Sequence, residues 1–395
     1  MNEWKTNVRT PIHYTSNGGT SVMRFRPKVV AFVVLIVLVL LIILLLPNPK
    51  QASGGESRVL FDRGNANIIR GSFTMSSSAY NTTYPMSPVK RTSTGRKYRI
   101  GMITDLDTNS KLEDPSHTWV AYMKKGYLTI SSSNNIVTVD IDDEEIALQS
   151  HLAQGDRAME LSELVCFNGK LYTVDDRTGV VYQVLDDKVL PWVILPDGDG
   201  SSTKGFKGEW MAVKDHLMYV GGLGKEWTTI TGELVNYFPQ WVKLVSHSGA
   251  LQHLDWVDNY NAMRNTAGFP YPGYMIHESG VWSDVHQSWF FLPRRASTER
   301  YDETEDEHRA TNLILKCDSS FKNVVVSKIG VVNPIRGFSS FKFVPETNDN
   351  VIVALKTEED RGNIATYFTV FTLDGIILVP DTKFADIKYE GIEFI

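Results

Sequence analysis

Glu390-Gly391-Ile392-Glu393-Phe394-Ile395 closes this chain of 395 residues. An apolar, β-favouring run entered through a glutamate reads as a strand, and a terminal strand leaves an open edge unless another strand covers it. The stretch around Arg99 to Thr104 supplies such a partner, and pairing the first strand with the last closes a ring; the alternative is an ordinary terminal edge strand. Four further apolar runs begin in the same way. Leu164 follows Glu160-Leu161-Ser162, Trp210 follows Glu209, Val281 follows Glu278-Ser279, and Phe341 follows Ser339-Ser340. With Ile392 after Glu390, these stations recur at about fifty to about seventy residues, a period that predicts five similar units. If each run is the inner strand of one sheet, five oxygen-bearing groups crowd round a common axis, where they repel one another unless a cation sits among them.

The rest of the chain fits that plan. Strands are expected over 98–104, 119–122, 127–130, 136–141, 171–174, 180–185, 217–220, 289–292, 351–355 and 366–373, with turns at Asn168-Gly169, 175–179 and Asp374-Gly375. No apolar stretch after Leu46 holds a helical period for long. The fold class expected is therefore all-β, a five-bladed β-propeller over 96–395 with a central channel for calcium.

Ahead of it, 29–46 is an unbroken apolar run of roughly 27 Å as a helix, just enough for a thin bilayer. Lys5, Arg9, Arg24, Arg26 and Lys28 precede it against Glu3 alone, so a cytoplasmic tail (1–28), an N-terminal transmembrane helix acting as signal anchor (29–46) and a lumenal stem (47–95) are expected. A cleaved signal peptide is the alternative, but Pro47-Asn48-Pro49-Lys50 lacks small residues for cleavage. The stem is rich in Ser, Thr, Asn, Gly and Pro without a sustained apolar period, reads as flexible, and carries the chain's one glycosylation sequon, Asn81-Thr82-Thr83. The whole chain is at −6 and the tail is basic, so everything beyond the tail is acidic, which argues against a nucleic-acid surface.

Several chemistries are absent from the pattern. Two cysteines, Cys166 and Cys317, are too few for a disulfide scaffold, although one bridge fits an oxidising lumen. The nine histidines form no HExxH pair, and no nucleophile-elbow serine is present. Gly221-Gly222-Leu223-Gly224-Lys225 resembles a phosphate loop but lacks its spacing and reads as a turn. The acidic run 302–307 lacks EF-hand spacing and reads as an exposed loop. By contrast, Glu209, Glu278 and Glu390 with Ser162 and Ser339 supply the hard oxygens that calcium accepts at flexible geometry.

Longer stretches carry a family resemblance. Ala79-Tyr80-Asn81-Thr82-Thr83-Tyr84-Pro85, Ile103-Thr104-Asp105-Leu106-Asp107, Met159-Glu160-Leu161-Ser162, Val174-Asp175-Asp176-Arg177-Thr178-Gly179, Gly221-Gly222-Leu223-Gly224-Lys225-Glu226-Trp227, Phe291-Leu292-Pro293-Arg294-Arg295-Ala296-Ser297 and 388–395 resemble the calcium-activated nucleotidases of the apyrase family, also found in the saliva of blood-feeding arthropods. The resemblance implies a five-bladed propeller holding one calcium ion (Ca2+) and hydrolysing nucleoside diphosphates and some triphosphates. The basic tail and anchor resemble the membrane-bound form, which implies a single-pass protein of the Golgi and endoplasmic reticulum preferring UDP and GDP over ADP. Calcium positions carried over are Ser162, Glu163, Glu209, Glu278, Ser339 and Glu390; Glu163 stands where the family pattern has Asp.

Water attacks a terminal phosphate slowly because both partners are anionic, so metal, arginine and a positioned carboxylate are needed. Asp105, Asp107 and Glu160 flank strand ends on the expected channel side and are the candidates to position or deprotonate water. Arg157, Arg177 and Arg294 suit phosphate oxygens, with Arg294 also readable as a brace, and Trp210 and Trp227 read either as stacking on the base or as buried in a blade core. A secreted apyrase and a non-enzymatic, calcium-stabilised binding propeller are the competing readings; association of two copies is left open.

Overall fold

The computed structural model describes residues 79–395; the expected tail, anchor and most of the stem lie outside them. Four four-stranded antiparallel sheets, and a fifth in which the short strand Lys90–Arg91 adds to four longer ones, are arranged by sequence as five blades. Blade 1 comprises Leu161–Phe167, Lys170–Asp175, Val180–Val184 and Val189–Ile194. Blade 2 is Trp210–Lys214, Leu217–Gly221, Trp241–Val245 and Leu251–Asp255, and blade 3 is Gly280–Ser283, Ser288–Phe291, Leu313–Asp318 and Val324–Lys328. Blade 4 runs Arg336–Phe343, Val351–Asp360, Asn363–Thr372 and Ile377–Ala385. Each of the five expected apolar runs is an inner strand.

Blade 5 is assembled from both ends of the described chain. Its inner strand is the C-terminal Tyr389–Phe394, followed outward by Gly95–Thr104, Trp119–Ser131 and Val137–Ser150. The register sets Ile100 against Phe394, Met102 against Ile392 and Ile103 against Gly391, and Ile395 N–H donates to Arg99 O at 3.0 Å. The edge that the last strand would otherwise expose is thereby paired. The two runs expected at 119–122 and 127–130 are one strand, bent where the register shifts between Lys124 and Gly126. Asn168 and Gly169 both take positive φ (51° and 69°), as a two-residue hairpin turn requires.

Apolar clusters fill the space between neighbouring blades. The aromatic one between blades 2 and 3 contains Trp210, Tyr219, Trp256, Tyr260, Trp289 and Phe291. Trp210 meets Phe291 edge-on at 5.4 Å between ring centroids, and its Nε1–H donates to Tyr260 Oη at 3.1 Å. Close approach at the axis also restricts residue choice: a Cβ on Gly391 would lie 2.7 Å from the backbone of Glu163.

Two expectations need correction. The last part of the expected stem is not free: Tyr80 stacks on His216 at 4.3 Å, Asn81 N–H donates to Asn168 Oδ1 at 2.7 Å, and Tyr84 Oη donates to Glu393 at 2.9 Å. Aromatic contact ties this polar segment across blades 1, 2 and 5. The acidic run forms a short helix, Glu303–Asp306, capped by Asp302, and Asp306 is buried because Tyr274 and Arg295 both bond its carboxylate. Cys166 and Cys317 are both free, one in blade 1 and the other in blade 3.

Candidate functional site

The station residues converge where the chain enters the blades, where Lys207 pairs with Glu209 at 2.8 Å and Lys388 with Glu390 at 3.7 Å. The result is a cavity of about 420 Å³, lined by Glu209, Glu278 and Glu390 together with Asp105, Asp107, Asp176, Arg157, Arg177, Lys207, Arg294, Glu359 and Lys388.

Three glutamates, Glu209, Glu278 and Glu390, form a partial ring on the cavity wall. Glu209 and Glu390 are buried, and Glu278 is partly so. Arg294 is enclosed by them: it pairs closely with Glu278, with Glu390 at 3.0 Å and with Glu359 at 2.7 Å. Burial pushes the Glu209 carboxyl up to about 8 against the pull of Lys207, and burial likewise holds Glu390 well above the carboxylate range. Ser162 Oγ is buried without a hydrogen-bond partner, and buried Ser339 Oγ donates to Tyr389 O at 3.3 Å, leaving its lone pairs. These residues offer oxygen donors only, one of them an unpartnered buried hydroxyl, and that chemistry fits a calcium ion rather than a thiolate–imidazole zinc site.

Through Oε1, Glu163 accepts from Leu164 N–H at 2.9 Å and Ser340 Oγ at 2.7 Å and pairs with Lys342 at 3.2 Å. Burial pushes the carboxyl up to about 7. Its Oε2, like Ser162 Oγ, is buried without a hydrogen-bond partner among the described residues, so the acceptor expected of a ligand at this position is still open.

The phosphate-facing part lies beside the ring. Asp105, Asp107 and Glu160 offer oxygens all within 4.8 Å of one another. Asp107 adopts a left-handed φ of 49°, which Asp tolerates, and its N–H donates to Asp105 Oδ1 at 2.7 Å. Lys388 reaches Asp105 at 2.9 Å and Asp107 at 2.7 Å. Burial pushes Asp107 up, with the charge of Asp105 adding, whereas Lys388 overcomes the burial of Asp105 and holds it below its ordinary value.

Glu160 is wholly buried and fully occupied: Arg157 grips both of its oxygens at 2.6 and 2.5 Å, and Arg177 Nε donates at 2.7 Å. That carboxylate is an arginine holder, and no lone pair faces an attacking water as freely as on half-exposed Asp107. The terminal nitrogens of Arg177 make no hydrogen bond within the described residues, so they face the cavity.

Two further assignments change. Arg294 spends its terminal nitrogens on three carboxylates, so it is a brace beneath the ring rather than a free phosphate fork. Trp210 is fully buried in the aromatic cluster between blades, so no face of it is open to a base. Trp227 and Tyr301 line the cavity instead. Lys207 and Lys388 were not singled out from sequence, although Lys-x-Glu at both 207–209 and 388–390 is a usable signal.

A glutamate ring beside an arginine cradle on a closed propeller is suited to hydrolysis of a phosphate ester or anhydride. A sequence model of the apyrase family matches residues 106–395, and the chain belongs to that family of nucleotide-hydrolysing enzymes. It is 59% identical over 318 residues to the rat (Rattus norvegicus) soluble calcium-activated nucleotidase 1, covering 80% of this chain and 79% of that one. It is 45% identical to an apyrase of Cimex lectularius (80% and 87% covered) and 47% identical to apyrase apy-1 of Caenorhabditis elegans (78% and 87%).

Proposed function

We propose that this protein is a calcium-dependent nucleoside diphosphatase that hydrolyses UDP and GDP to the monophosphate and phosphate. The observation that carries the reading is the juxtaposition of the buried glutamate ring with Arg177, Arg157 and Asp107 around one cavity. Glu209, Glu278, Glu390, Ser162 and Ser339 would hold the ion, which when bound supplies charge neutralisation for a substrate carrying about three negative charges.

The chain's own residues do the rest. Arg157 and Arg177, fixed in place by Glu160, present guanidinium donors to the phosphate oxygens. Asp107, the most exposed of the carboxylate trio, accepts the proton of the attacking water, and Lys388 holds it in place. Trp227 and Tyr301 at the rim provide flat faces for the base.

The compartment belongs to the same reading. The apolar run 29–46 anchors the protein in Golgi and endoplasmic reticulum membranes with the propeller in the lumen, and clearing UDP there supports glycosylation and proteoglycan synthesis. No helix among the described residues is long and apolar enough to cross a membrane, and the run lies outside them. Asn81, exposed on the segment docked beside blade 1, is the glycosylation acceptor. The purified full chain is to be assayed for phosphate release from UDP, GDP and ADP with calcium or EGTA. Release from UDP and GDP above ADP, abolished by EGTA, is expected; release that survives EGTA, or none with calcium, contradicts it.

A further inference from the structure

Lys207 joins the two halves of the site. Entering blade 2 two residues before Glu209, it pairs with Glu209 Oε1 at 2.8 Å and closely with Asp176, which follows the second strand of blade 1. Both carboxylates are about 3% exposed, and Lys207 itself lines the cavity. Glu209 belongs to the glutamate ring. Asp176 belongs to the phosphate side, where it neighbours Arg177, whose Nε lies 3.4 Å away.

An ammonium has three donors, and in a buried site each needs an acceptor. Glu209 cannot give the same oxygen both to Lys207 and to a divalent ion, and an ammonium left beside such an ion is repelled by it. Asp176 keeps Lys207 from leaving, so the direction left to its freed donors is the cavity, where a diphosphate lies.

We propose that Lys207 couples metal to nucleotide: its ammonium is shared between Glu209 and Asp176, withdraws from Glu209 when that carboxylate serves as a ligand, and turns on its Asp176 anchor toward the diphosphate. Lys207 is then a substrate-binding residue that responds to the ring, and each ligand tightens the other by the same factor. The inference rests on the reading of Glu209 as a calcium ligand.

Calorimetric titration of the full chain with calcium, with and without the non-hydrolysable analogue α,β-methylene-UDP, tests it without turnover. In the parent, the analogue tightens calcium binding about tenfold or more. Lys207→Met binds calcium alone at least as tightly as the parent but keeps no more than about a twofold effect of the analogue, and Lys207→Arg regains most of the coupling. Asp176→Asn, which removes the anchor and leaves the ammonium on Glu209, weakens binding of calcium alone several-fold. Parental coupling in Lys207→Met, or unchanged calcium affinity in Asp176→Asn, overturns the role of Lys207 while leaving the nucleotidase reading intact. A parent that binds no calcium overturns both.

Discussion

Asp107 carries the sharpest residue-scale prediction. Its half-exposed carboxylate is held by Lys388 at 2.7 Å rather than consumed by a bidentate guanidinium, so Asp107→Asn should lower kcat by about 10²-fold or more with little change in KM. Steady-state phosphate release measures it, and an equal loss in Glu160→Gln confined to kcat would move the proton acceptor to Glu160. Away from the site, Lys243 is fully buried against Gly198 O and the Phe206 ring, and burial pushes it down to about 8. Its folded value lies below the unfolded one, so the unfolded state binds more protons between about 8 and 10.5 and stability rises with pH across that window. Lys243→Met should raise the melting temperature at pH 7, and its advantage should shrink toward pH 10. A constant difference across pH would contradict the assigned cause.

Elements differ in how plainly the sequence announced them. Inner strands were legible because each combines an apolar run with an oxygen-bearing entry, as at Glu209-Trp210 and Glu390-Gly391-Ile392. Spacing was the overlooked signal: Lys207 and Lys388 each stand two residues before a glutamate and pair with it, at 2.8 Å to Glu209 and 3.7 Å to Glu390. Trp210 was legible only as one of two fates, base platform or blade core, because the burial that decides between them comes from Trp256, Tyr260 and Phe291, residues of other elements that no local pattern connects. Docking of the expected stem was hidden for the same reason, since it rests on single aromatic contacts such as Tyr80 with His216. Packing between elements predicts that Trp210→Ala costs about 3–5 kcal/mol in denaturant unfolding, mostly from the cavity it leaves. Arg294→Met should cost a similar ~3–5 kcal/mol without calcium because it strands three carboxylates. Adding calcium should recover part of that loss, whereas Trp210→Ala should show no such recovery; the same response in both variants would contradict the brace.

At the scale of the whole molecule, one strand closes the ring and also delivers Glu390 and, two residues earlier, Lys388. Deleting 391–395 should therefore remove cooperative unfolding and calcium-dependent stabilisation together, as followed by circular dichroism and thermal melts. The central claim is that one divalent ion at the glutamate ring makes the cavity catalytic. Its most direct test is the double variant Glu209→Gln, Glu390→Gln, folded as judged by its melting curve, in which calcium binding and phosphate release from UDP are measured on the same preparation. Loss of both is expected; UDP cleavage at the parental rate and with the parental calcium requirement would contradict the account.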